Sequence, residues 1–492
     1  MSNVTSSQPE GHTSQVLFNH APAGVSYTFD EPNLVSAAGL APMMALAQNA
    51  GLAELAQDRV TVHRTGADKG ANAGAKVSSI VAGMVAGADS IDDMDVLRHG
   101  GMKSLFDSVY APSTLGSHLR AYTFGHVRQL DAVGTRFLAS LGSYAPLLPV
   151  APSATGAAAM TFVDIDDTVI EVHSAKKQGA GFGYQGSRGL NALLATASTA
   201  EASPVVVAQR LREGSAYSAR GASRMVGDAL AATAKIPGTC GPVVVRADSA
   251  YYNAKVAKAA ADGGAKLSVT VRMNKRGKTV IAGIQEDAWT KIQYKNSIYD
   301  ETTKTWISEA EVVEVPFTAF TSKKKSLQVT GRLIVRRVLE KNAKKLAAGQ
   351  DTIFDVYRHH GVFTTIDAST LDTAAADRVH RAHAVIEQVN AELKAGPLAH
   401  MPSGVFQANA AWLAITTMAH NLMRATAAVI GGTMARARAL TLRRRIISIP
   451  ARIAHRARKL ILHLPTDWKW AAAFEELWAK ALGPPAAAAK ST

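Results

Sequence analysis

The sequence predicts an α/β chain, in which an α/β layer is interrupted by a strand-rich insertion, preceded by an all-helical region and followed by a basic helical C-terminal tail. Three observations predict it. Apolar residues recur at three- and four-residue spacing from Leu34 to about Leu148, β-branched apolar runs replace that period after Pro149 and Pro152, and helical spacing returns between Ala374 and Ile430. At roughly 150 residues per domain, 492 residues allow about three domains and a sizeable core.

Residues 1–30 are rich in Ser, Thr, Gln and Gly and read as a flexible tail. Residues 31–150 form the helical region. Within it Asp92, Asp93 and Asp95 read as helix-start capping rather than metal binding, and Pro112 starts another helix with Ser113 or Thr114 as its cap. Residues 151–273 carry the α/β pattern: strands at Thr161–His173, Leu190–Ser198 and Pro204–Leu211, a helix from Ser218 to Lys235, a strand at Pro242–Arg246, a helix at Tyr252–Ala261 and a strand at Lys266–Arg272. Residues 274–365 are strand-rich and read as an insertion, after which 366–430 completes the layer with helices at Ala374–Leu393 and Ala408–Ile430. In 431–492, the stretch from Arg436 to Lys459 holds many arginines and no acidic residue.

Lys plus Arg is 54 against 39 Asp plus Glu, a formal charge of +15, which points to a polyanionic partner and disfavours small-molecule metabolism. The single cysteine, Cys240, excludes an internal disulfide framework and CxxC-type zinc sites, and fits a reducing cytosol. The first residues lack the basic start and apolar core of a signal peptide. The stretch without formal charge from Met401 to Met423 carries Gln407, Asn409, His420 and Asn421, so it reads as a buried helix and not a membrane span.

Gly181 to Gly186 matches GxGxxG as a string, but a strand follows and no acidic residue stands about 20 positions on, so it reads as a glycine-rich hairpin turn. Embedded carboxylates are more informative, because a buried carboxylate is costly unless paired or holding a cation. Asp164 and Asp166 share one face of a strand while Asp167 points opposite. Asp248 ends an all-apolar strand. Carboxylates at the ends of adjacent strands can meet at one sheet edge, although a capping role for Asp248 and an arginine partner for Asp166 fit equally. On the helix that follows, His380, His383, Glu387 and Lys394 fall on one stripe at 100° per residue, a pattern that also suits a solvated face.

Asp on a first long strand, Asp past a later strand and Glu on a distant helix resemble the DDE transposases of bacterial insertion sequences. The strand-rich stretch between the second Asp and the Glu is similar to the β insertion of one cut-and-paste group, whose Glu lies in a Y-x2-R-x3-E-x6-K signature. Glu387 and Lys394 match its last two positions, whereas His380 and His383 replace the Tyr and Arg. The resemblance covers about residues 75–465, and Ala88–Arg98, Ala111–Gly116, Phe124–Asp131 and Val245–Ser249 look like segments of actinobacterial members of one such family.

The resemblance implies an RNase H-like catalytic core (151–273 and 366–430) with a β insertion, a helical DNA-binding region before it, and two Mg²⁺ ions, with Mn²⁺ able to substitute. Such ions, about 3.5–4 Å apart, stabilise attacking and leaving oxygens together. Asp166 would bridge both metals, Asp248 would bind the second site and Glu387 the other, with Asp164 as understudy to Asp166. The enzyme would cleave double-stranded DNA at its terminal inverted repeats and join the 3′-hydroxyl ends to target DNA, as a homodimer on paired ends in the bacterial cytoplasm at the nucleoid, with no membrane partner. Lys394, His383 and His380 would lie on DNA phosphates, and the basic tail, including Arg443, Arg444, Arg445 and Arg456, would bind the repeats. Trp289 or Trp306 would stack on a flipped base or else pack in the core. Alternatives are an RNase H-like nuclease that does not join ends and a non-catalytic DNA-binding descendant.

Overall fold

Helical spacing in the first third of the chain produces helices that bury nearly every apolar stripe. The computed structural model describes residues 26–62, 71–183, 186–239, 241–292, 299–301, 305–306, 310–339, 357–456 and 459–483. Most of the expected flexible tail, residues 1–25, and Cys240 lie outside the described residues. A short strand β1 (Leu34–Val35) leads into α1 (Leu40–Asn49), α2 (Leu52–Arg59), α3 (Ala73–Ala86), α4 (Pro112–Arg120) and α5 (Phe124–Tyr144). Asp92, Asp93 and Asp95 fall in a 3₁₀ turn, Asp92–Leu97, where Asp93 accepts the Ser90 hydroxyl at 2.8 Å and Asp95 pairs with Arg98. The expected caps Ser113 and Thr114 are instead inside α4: Pro112 takes its first position after Ala111, where a missing N–H costs nothing.

The second third builds one sheet. Its strands are β2 (Thr161–Glu171), β3 (Gly181–Phe182), β4 (Arg188–Ser198) and β5 (Val205–Glu213); after α6 (Ala222–Thr233) come β6 (Val243–Ala247), α7 (Ala254–Asp262) and β7 (Lys266–Thr270). Strand β4 runs antiparallel to both of its neighbours, β5 and β2, while β2, β6 and β7 run parallel, in the order β5-β4-β2-β6-β7. The glycine-rich string sits at the β3–β4 hairpin, with a strand following. Nearby Gly214 fits only as glycine, since a Cβ there would stand 2.0 Å from the Gly189 carbonyl oxygen.

The strand-rich segment continues this sheet. It holds α8 (Lys275–Ala282), β8 (Thr290–Ile292), β9 (Tyr299–Asp300), β10 (Thr305–Trp306), β11 (Ala310–Ala319), β12 (Val329–Leu339) and β13 (Tyr357–Thr364). β13 pairs with β7, and β12, β11 and β8 follow, while among the described residues β9 and β10 pair with each other. The helix expected over Ala374–Leu393 is two helices, α9 (Thr373–Arg381) and α10 (Val385–Lys394), joined by a 3₁₀ turn at Ala382–Ala384.

Next comes α11 (Phe406–Ile430), buried along almost its whole length. One of its polar residues ties it to the sheet: Asn421 accepts from the Val206 N–H at 2.8 Å and donates to the Val206 carbonyl at 2.7 Å, so its amide pairs with edge strand β5 as another strand would. Among the described residues no helix is long and apolar enough to cross a membrane.

The basic tail is not simply helical. After a single turn, α12 (Ala439–Leu442), and a π-helical turn at Arg443–Ile447, it forms a hairpin of β14 (Ala451–Arg456) and β15 (Lys459–His463), then α13 (Ala471–Leu482). Pro450 disfavours helix at the residue before it. The alternation that follows buries Ala451 and Ile453 and exposes Arg452. β14 pairs with β1, which ties the far end of the chain to the helical region.

Candidate active site

Three aspartates in one strand receive three different environments, because neighbouring strands supply different cations. Asp164 is fully buried and takes a two-bond grip from Arg246, which stands opposite it on β6, with Nε and Nη2 each 2.7 Å from a carboxylate oxygen. His383 Nδ1 lies 2.9 Å from the same carboxylate. Burial alone would raise its pKa; the Arg246 guanidinium and His383 outweigh burial and hold it below the usual range. Arg246 also donates to the Val379 carbonyl at 2.8 Å and lies over the Phe162 ring, so this group fastens α9 to the sheet.

Asp167 points to the opposite face, where Tyr251 donates to it at 2.6 Å, Arg212 pairs with it at 3.0 Å and Asn191 donates a further bond. Asp166, between them in sequence, makes no ion pair with a lysine or arginine among the described residues. It accepts from Asn390 Nδ2 at 2.9 Å. Burial, with the Asp167 and Asp248 carboxylates adding repulsion, raises its pKa to about 6.

Asp248 reaches Asp166 through strand register. β2 and β6 are parallel with Ile165 beside Ala247, so the next residues out are Asp166 and Asp248, on strands about 4.8 Å apart. Asp248 is exposed at the C-terminal end of β6, and one of its oxygens accepts the Ala250 N–H at 2.9 Å. The turn role open to it from sequence is therefore present, and it engages only one oxygen.

Three members of the polar stripe, His380, His383 and Lys394, meet the sheet, each with a different partner. His380 was expected on DNA. It is instead buried, its ring nitrogens 3.0 Å from Ser268 Oγ and 2.8 Å from Thr270 Oγ1, and burial pushes its pKa down to about 3. His383, expected on a phosphate, is engaged with Asp164. Lys394 is exposed, 3.4 Å from Thr168 Oγ1. Glu387 is exposed on α10, one turn before Asn390. Asp166 and Asp248 come together through register, but among the described residues no three His, Cys, Asp or Glu side chains stand close enough to hold a metal ion, so Glu387 stands outside that pair.

The donor chemistry of the pair suits a hard divalent cation. Mg²⁺ takes oxygen ligands and is commonly held by one or two carboxylates, with water and phosphate oxygens completing the shell. Among the described residues no arginine neutralises Asp166, unlike Asp164 and Asp167, and a second carboxylate repels it, a charge balance that a cation would correct.

Of the basic-tail residues, Arg444 and Arg456 are exposed. Arg443 is instead half-buried and donates to the Val85 and Met84 carbonyls at the end of α3, and Arg445 lies over the Trp470 ring. Trp289 has the Arg337 guanidinium against one face, 4.3 Å from the ring centre, so that face is unavailable to a base. The Trp306 side chain lies outside the described residues.

Asn390 and Arg246 were missed from sequence. Asn390 lies three residues after Glu387 and four before Lys394, on their stripe, and Arg246 is a lone charge in an otherwise apolar strand; each pattern was a usable signal. A family model described as transposase DDE domain group 1 matches residues 20–482 of the chain. No curated protein matches it.

Proposed function

The chain belongs to the transposase DDE domain family, and on that premise we propose that it binds the terminal inverted repeats of an insertion sequence, cleaves the DNA ends and joins the 3′-hydroxyls to target DNA. The observation that carries the reading is the Asp166–Asp248 pair, two carboxylates side by side at the C-terminal edge of parallel strands, with no arginine to neutralise Asp166. In this reading Asp166 and Asp248 would hold the divalent metal, and a bound Mg²⁺ would supply Lewis acidity to the phosphodiester. Asn390 fixes the carboxylate plane of Asp166 through its 2.9 Å bond. Glu387, exposed one turn before Asn390 on the same helix, is the third ligand this reading calls for, and α10 must draw closer to the pair for it to join them; Lys394 would meet a DNA phosphate. Asp164 is set aside as a ligand, because Arg246 and His383 already satisfy it.

The strand order β5-β4-β2-β6-β7, antiparallel then parallel, with α6 and α7 between its later strands, supports an RNase H-like core over residues 151–273 and 366–430. Residues 274–365 serve as the insertion, 31–150 and the exposed arginines of 431–492 contact the repeats, and two chains act on paired ends at the nucleoid. The test is cleavage and joining of a donor duplex carrying the native element ends, beside calorimetric titration with Mn²⁺. Asp166→Asn and Asp248→Asn should each lose Mn²⁺ binding and cleavage while still binding the ends. Full cleavage by either variant would overturn the assignment, and cleavage without joining by the wild type would reduce the protein to a nuclease.

A further inference from the structure

Residues 272–285 and 320–328 together hold seven basic residues and no acidic one. The two segments are far apart in sequence but adjoin in space. Arg276, on α8, donates to Thr321 Oγ1 at 2.6 Å and lies over the Phe317 ring at 4.7 Å. Both segments also reach the loop that carries Asp248. Arg272 Nε donates to the Ser249 carbonyl at 3.0 Å, and the Phe320 ring packs on Tyr252 with centres 4.7 Å apart. Arg272 and Arg276 are thus the fixing residues. Lys275, Lys278, Lys323, Lys324 and Lys325 are exposed, with no ion pair among the described residues.

Five unneutralised lysines side by side repel one another, and a fold accepts that repulsion more readily where a polyanion relieves it. Lysine, a compact charge on a flexible stem, suits the phosphate backbone and not base edges, so the surface fits duplex DNA without sequence preference. Its place is set by the start of α8 beyond the C-terminal end of β7, the sheet edge on which Asp248 lies, where ligands of parallel strands collect.

We propose that α8 and the Lys323–Lys325 turn form a backbone track that holds DNA beside the Asp166–Asp248 pair. This rests on the DNA-cleaving reading above and extends it to a surface away from the basic C-terminal segment. The experiment measures binding of full-length protein to a duplex without element ends, by fluorescence anisotropy over a series of salt concentrations. Replacing all five lysines by Gln should reduce the slope of log K against log salt by about 0.9 for each phosphate no longer neutralised, and weaken binding near 0.1 M salt by on the order of tenfold or more. Replacing all five by Arg should keep the wild-type slope.

Arg444→Gln with Arg456→Gln, on the C-terminal segment, is the comparison arm and should leave the track's share of the slope in place. A Gln variant that is folded by circular dichroism and keeps the wild-type slope overturns the track while leaving the DNA-cleaving reading standing. A wild type that binds no duplex overturns both.

Discussion

Asp164 and Asp166 are chemically identical, two residues apart and on one face, yet the fold gives them opposite energetics. Asp164 neutralises a buried guanidinium, so Asp164→Ala would leave Arg246 buried and uncompensated, a loss of about 3–5 kcal/mol by chemical denaturation. Asp166 has no such cation to neutralise. Its ionised form is disfavoured by burial up to about pH 6, so at pH 7 without metal Asp166→Asn should be at least as stable as the wild type while losing cleavage. A destabilised Asp166→Asn would mean that the carboxylate serves the fold. Asn390 makes the next prediction. It donates to Asp166, and removing a group that orients a metal ligand typically costs about 10–100-fold in metal affinity or activity. Asn390→Ala should show that loss in Mn²⁺ titrations with unchanged DNA affinity, whereas weakened DNA binding would place Asn390 on the nucleic acid. The sequence displayed the carboxylates and even their faces. It could not display which of them an arginine neutralises, because Arg246 and Arg212 arrive from β6 and β5 and are assigned only by register.

At the scale of the element, periodicity located the helices better than it located their duties. The stripe His380, His383, Glu387 and Lys394 is present, but the 3₁₀ turn at Ala382–Ala384 divides it between two helices, and the sheet claims both histidines. α11 shows the converse: its polar residues argued against a membrane span, and Asn421 and His420 prove to be packed against β5 and the turn before it. His420 is buried and its pKa is pushed down to about 3. The unfolded chain takes up that proton near pH 6.5, so stability is full above that value and drains as the pH falls towards 3, by about 1.4 kcal/mol per unit for this ring. Replacing His420 with Gln should flatten the decline of denaturation free energy below pH 6.5, and an unchanged slope would show that the ring is protonated in the folded protein.

For the whole molecule, long-range pairing decides what the sequence could only suggest in pieces. The change from helical to strand periodicity marked both the α/β layer and the strand-rich segment, but the joining of the two into one sheet depends on β13 returning to β7, a pairing of residues about a hundred positions apart that no local pattern encodes. The same holds for the C-terminal segment, whose charge suggested a DNA-binding tail. Ile446, Ile447, Ile453 and Leu477 are buried there, β14 pairs with β1, and α13 lies against α1 and α11. Deleting everything after Gly432 would therefore remove these four and also Met434, Leu442, Ile449 and Phe474 from the core, each worth about 1.5–3 kcal/mol, and uncover the helices they pack on. The truncated chain should melt at a lower temperature or aggregate, and any loss of DNA binding it shows would follow from that. Arg444→Gln with Arg456→Gln leaves that packing intact and isolates the charge: it should melt as the wild type does and bind DNA with a salt slope lower by up to about 1.8, two phosphates at about 0.9 each. A truncated chain as stable as the wild type would show the C-terminal segment to be a detachable arm, contrary to the pairing of β14 with β1.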